Sequence, residues 1–201
     1  VVTNIEFFAG LSGQGDNIMD GSFIFFGILI VLGLIVMMAY NRLVALRQTC
    51  NQAWGDIDVQ LKQRHDLVPN LVETVKGYAA HEKETLENVI KARQTAIDAG
   101  SIKDLAGAEN MLSGALRQLF ALSESYPDLK ANQNFLSLQN ELADLENKIA
   151  AARRFFNNAT GEYNTAAEQF PAVIIANAFG FAKRDFFEVG EAERAAPSIK
   201  F

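Results

Sequence analysis

Residues 21–41 carry no charge, and the eighteen from Phe23 to Tyr40 read FIFFGILIVLGLIVMMAY. As an α-helix this run spans roughly 27–30 Å, about the thickness of a bilayer's hydrocarbon core. A helix satisfies its own backbone, so it can stand alone in hydrocarbon. Buried in a soluble core it would need apolar cover on every side, and no other stretch of the 201 residues is greasy enough to supply it. A secretory signal is not expected either: the run is too long, lies twenty residues in and has no basic segment before it. A transmembrane helix over residues 22–41 is the expectation. Phe23, Phe25, Phe26, Leu29, Leu32, Leu34 and Met37 would meet lipid, and Tyr40 would sit at the boundary, where an aromatic ring with a polar tip suits the interface.

Charge sets the direction of the span. No Lys or Arg precedes it, only Glu6, Asp16 and Asp20, whereas Arg42, Arg47, Lys62 and Arg64 follow. Positive charge close to a span favours the cytoplasmic side. Residues 1–21 are therefore expected as a short acidic extracytoplasmic tail, irregular in structure, with the C-terminal domain cytoplasmic. Val1 in place of Met points to a processed or trimmed N-terminus. The net charge of −6 without a basic cluster argues against nucleic acid as a partner and against a polybasic grip on anionic lipid. The single cysteine, Cys50, excludes an internal disulfide and a cysteine-based zinc site.

After the span the apolar period becomes helical. Leu43, Leu46, Cys50, Ala53 or Trp54, Ile57 and Leu61 recur at steps of three and four, the stripe of an amphipathic helix. No breaker separates this stripe from the span, so one helix is expected to continue into the next. Asp66 suits an N-cap and Pro69 a first turn, which predicts a new helix start there; a single kinked helix running to Gly77 is the alternative. One phase then holds from Val68 to about Ala99. Ser101 with Asp104 caps a third helix to Ser125, where Gly107, Gly114 and Ala115 would permit close approach. Tyr126-Pro127-Asp128 stops it. The fourth helix carries a seam from Phe135 to Phe170, broken only at Ala159 and Thr160, and is long enough to pair with a second copy. The fold expected is all-α: an N-terminal transmembrane helix continuing into an antiparallel three- or four-helix bundle over 42–170, then an apolar C-terminal segment and tail over 171–201.

Two stretches are candidates for interaction. Asp66, Pro69 and Asn70, in DLVPN, would lie at one turn at the tip of the bundle, as a well-specified turn or a docking knob. Phe179, Phe181, Phe186 and Phe187 make the C-terminal segment strongly apolar. It has three readings: an interfacial segment, a cap over the bundle's open end, or an oligomer contact. Several asparagines on the fourth helix, Asn157 and Asn164 among them, are read as an exposed polar face or as hydrogen-bonding neighbours. Chemistry is sparse. His81 and Glu84, three apart, are too few for a metal, and there is no GxSxG, P-loop or other phosphate cradle. No catalytic, cofactor-binding or metal residue is assigned, and no cofactor is expected.

The run YNRLVALRQTCNQAWGDIDVQLKQRHDLVPNLVETVKGYAAHEKETLENVIKAR resembles the LemA family of bacterial membrane proteins. So do YPDLKANQNFLSLQNELADLENKIAAARRFFN, Tyr163-Asn164, Phe170-Pro171 and Phe186-Phe187. The resemblance covers residues 40–201. It implies a membrane helix with a helical bundle at the bacterial cytoplasmic (inner) membrane. The family includes a magnetosome-membrane protein, and the resemblance supplies no catalytic residues. The function expected is a membrane-anchored, non-enzymatic scaffold or adaptor that forms a homo-oligomer through its long helices. The alternative is a regulatory partner of a membrane enzyme such as a protease or sensor; a hydrolase or metal-dependent enzyme is a third class. The expected partners are the lipid bilayer, a second copy and another membrane protein.

Overall fold

A computed structural model describes the backbone of residues 5–187 and the side chains of residues 22–187. All regular structure among them is helical: α1 (Ile5–Lys76), α2 (Lys83–Ile97), α3 (Ile102–Ser123), α4 (Pro127–Lys130), α5 (Gln133–Glu168) and α6 (Ala172–Phe179). This is the expected all-α architecture, an apolar N-terminal helix continuing into an antiparallel bundle. The end of the chain, 188–201, lies outside the described residues.

Three boundaries differ from expectation. First, α1 is already helical from Ile5, where an irregular tail was expected. Nucleation is the costly step, and a long apolar helix has already met it, so glycines that would forbid an isolated helix are tolerated in its extension. Second, α1 passes through Pro69 rather than restarting there, so the alternative of a single helix running to Gly77 holds. Third, it stops at Lys76, and residues 77–82 turn the chain where one apolar phase had suggested continuity to Ala99. Distant side chains hold that turn. Asn132 Nδ2 donates to Tyr78 Oη at 2.9 Å, and Tyr126 Oη donates to the Glu82 carboxylate at 2.9 Å.

Two compact units divide the chain, and α1 and α5 contribute to both. The larger, 46–165 with 183 onward, is the bundle of α1, α2, α3 and α5. Val68, Leu71, Val75, Val89, Leu112, Leu119 and Phe135 are fully buried in its core. Side-chain caps start α3, as expected, and α5. The Ser101 hydroxyl accepts from the Asp104 N–H at 3.1 Å, and the Asn132 side chain accepts from the Phe135 N–H at 2.9 Å. Gly107 and Gly114 are not close-approach points, since an added Cβ would meet nothing within 4 Å at either.

The smaller unit comprises residues up to 45 together with 166–182. Its part of α1 holds the apolar run, whose large side chains are 38–73% exposed from Phe23 to Met38. Leu43, Ala166, Ile175, Ala176 and Phe181 are buried. Gly180, at φ +70°, ends α6 in the left-handed conformation that glycine adopts without a Cβ clash. The N–H groups of Gly180 and Phe181 then both donate to the Ala176 carbonyl.

Candidate functional site

Pro69 has no N–H, so the carbonyl four residues back, that of His65, loses its helical partner. Arg93 of α2 fills the place: its Nε donates to the His65 carbonyl at 2.7 Å. The proline thus creates a docking point for α2 in the side of α1. The His65 ring meets α3, with Nε2 2.6 Å from Glu109 Oε1.

Beside it Arg64 is 1% exposed and joins three helices. Its Nη1 donates to Glu146 Oε2 of α5 at 2.5 Å; its Nη2 donates to the Glu109 carbonyl at 3.0 Å and to Ser113 Oγ at 2.9 Å. Glu109, 2% exposed, also sets Oε2 3.1 Å from Arg64 Nη2, an ion-pair contact outside hydrogen-bond alignment. A guanidinium suits such a position because its fixed fork reaches several acceptors at once. Removing one member of a buried pair costs about 3–5 kcal/mol, because it leaves the other charge uncompensated. Sequence reasoning assigned neither residue. The signal was the phase: Arg64 falls between Leu61 and Val68 on the buried stripe, and Glu109 between Ala108 and Leu112. Within the cluster Ser113 Oγ also donates to the Glu146 carboxylate at 3.4 Å, while the His65 ring meets Glu109. Among the described residues no three His, Cys, Asp or Glu side chains group to hold a metal.

Asp66, Pro69 and Asn70 are exposed and lie on one face of the continuous helix, not at a turn or a tip. Lys62 donates to Asp66 at 2.8 Å, and this hydrogen bond holds the Asp66 carboxyl below its usual range.

The four candidate phenylalanines separate. Phe186, in the bundle unit, is 47% exposed, whereas Phe187 is fully buried, its ring 6.3 Å from that of Trp54 and 5.5 Å below the Arg153 guanidinium. Two asparagines of α5 hold this terminal strap by its backbone. Asn157 accepts from the Phe187 N–H at 2.9 Å and donates to its carbonyl at 3.0 Å. Asn164 does the same to Arg184, at 2.9 Å each way. Seven helical residues rise about 10.5 Å and three extended residues about 10 Å, so the two amides match the strap's repeat. Of the two readings of these asparagines, Asn157 and Asn164 follow the hydrogen-bonding one. Arg184 Nη2 also donates to Asn51 Oδ1 of α1 at 2.5 Å.

In the smaller unit Phe179 is 59% exposed and Phe181 6%. Both rings meet Tyr40 edge-on, with centroids 5.1 and 5.6 Å away. Phe170 and Ile174 are exposed alongside them.

Comparison with known proteins gives one family. The LemA family model matches residues 53–201. The magnetosome protein MamQ of Magnetospirillum gryphiswaldense is 24% identical over 178 residues, covering 76% of this chain and 65% of that relative. MamQ 2 of Paramagnetospirillum magneticum is 23% identical over 179 residues, covering 76% and 66%. Protein LemA of Metamycoplasma hominis is 27% identical over 158 residues, covering 77% and 71%. The chain therefore spans just under two thirds of the length of the magnetosome relatives.

Proposed function

The chain belongs to the LemA family, and on that premise we propose that this membrane protein is a non-enzymatic scaffold that self-associates through its long helices. The observation that carries the anchor is the uncovered stretch of α1. Its side chains from Phe23 to Met38 are exposed, and the helix continues unbroken into the bundle. Such a surface in water would be far larger than the apolar patches monomers tolerate. Arg42 and Arg47 after the run favour the N-terminus outside and the bundle inside a bacterial inner membrane.

The polar interior supports a structural role. Arg64, Glu109, Glu146, Ser113, His65 and Arg93 are engaged with one another across four helices. Exposed apolar side chains on the bundle helices support self-association: Ile90 and Ile97 on one line of α2, Met111 on α3 and Phe155 on α5. Light scattering of the detergent-extracted chain tests this. The expected result is an oligomer whose mass falls on dilution and falls further with Phe155→Glu on the long helix α5. A strict monomer over a broad concentration range would contradict self-association.

A further inference from the structure

The segment 169–182 contains no charged residue. Water-facing helices ordinarily present charged and polar side chains, yet of the exposed positions in this segment only Gln169 and Asn177 carry polar side chains, beside Phe170, Ile174 and Phe179. Phe170 is 81% exposed, Ile174 61% and Phe179 59%. At eight residues, roughly 12 Å, α6 is too short to span a bilayer.

Its place in the smaller unit identifies what covers it. Phe179 meets Tyr40, the last residue of the apolar run. The turn before α6 flanks the same end of the run. Gln169, Phe170 and Pro171 share a cleft of about 250 Å³ with Ile35, Met38, Ala39, Arg42 and Leu43 of α1. Ile35 precedes Tyr40 by five residues, about 7.5 Å along the helix, and Leu43 follows it by three, about 4.5 Å the other way, so the cleft brackets the boundary. An interfacial helix characteristically buries its apolar face about 5–10 Å into the headgroup and acyl boundary.

We propose that α6 is a second membrane contact, an apolar wedge lying in the inner interface of the same bilayer that holds the span. Phe170 and Ile174 enter the acyl boundary and Phe179 sits with Tyr40 at headgroup level. The wedge would restrain the rotation and depth of α1, which a lone helix in lipid leaves free. The inference rests on the membrane-anchored reading, and two probes separate them.

The full chain is reconstituted in phosphatidylcholine–phosphatidylglycerol vesicles with Trp54→Phe and either Phe179→Trp or Leu29→Trp as the single fluorophore. Lipids brominated at shallow or deep acyl positions then act as quenchers. Phe179→Trp is expected to give blue-shifted emission and to lose more intensity to shallow than to deep bromine. Leu29→Trp is expected to show the reverse order. A quenched Leu29 probe with an unquenched Phe179 probe would overturn the wedge and leave the span standing; a blue shift without quenching would assign α6 to a second copy instead. Two unquenched probes would overturn both readings. If Trp54→Phe disturbs the helical circular dichroism, a nitroxide on Ile174→Cys serves in its place, since Cys50 is buried. Collision with dissolved oxygen should exceed collision with an aqueous nickel chelate, and the opposite order would overturn the proposal.

Discussion

Cys50 is fully buried on α1, and burial pushes its thiol above the ordinary value of 9.0, against the opposing pull of the Arg184 charge. Burial likewise raises the Tyr163 phenol above 10.0. In both cases the folded chain keeps its proton to higher pH than the unfolded chain does. The stability each contributes is therefore complete below the unfolded value and is lost as pH rises through the folded one. Thermal unfolding of the extracted chain should show a midpoint that holds to about pH 9 and then declines. Cys50→Ala should make the decline shallower, whatever it does to the midpoint at neutral pH. Parallel declines in the two proteins would show that the thiol is not the group that titrates.

At the scale of the element, the question is how α1 tolerates a proline in mid-helix. An interior proline costs about 3 kcal/mol or more when nothing compensates for it. Here Arg93 supplies the donor that the helix cannot. Arg93→Met should destabilise the bundle by about 1–3 kcal/mol, the cost of an unsatisfied buried carbonyl. Pro69→Ala returns an N–H to position 69, so the double variant should be less destabilised than the sum of the two single changes. Additivity in a denaturation-based double-mutant cycle would show that the two residues do not share the carbonyl. The asparagine clamps make a second case. Asn164→Leu should destabilise by about 2 kcal/mol for two lost hydrogen bonds. Asn164→Asp keeps the acceptor for the Arg184 N–H and should cost less. No loss from either change would mean that the strap is held by its side chains alone.

These elements also mark how far the sequence could be read. The apolar run, the α3 cap at Ser101 and the 36-residue α5 were legible because each depends on residues within a few positions. Pro69 misled because its compensation comes from a side chain on another helix. The turn at 77–82 contains only Gly77 as a breaker and is held by Asn132 and Tyr126, far along the chain. The Arg64 and Glu109 cluster left a trace, charged residues in phase with buried ones, but its partners emerge only when three helices meet.

On the scale of the whole molecule, the chain carries two different interiors. The bundle unit packs a buried apolar core and pairs the buried Arg64 with Glu109 and Glu146. The smaller unit leaves a run of apolar side chains uncovered from Phe23 to Met38, with Phe170, Ile174 and Phe179 exposed beside the end of that run. A surface of that kind persists only where the solvent is itself apolar.

Fractionation of cells expressing the intact chain tests this most directly. The chain should pellet with membranes at high speed, stay there through an alkaline carbonate wash and enter solution only with detergent. Release of dispersed, folded chain by carbonate alone, or its recovery in the supernatant without detergent, would contradict the account.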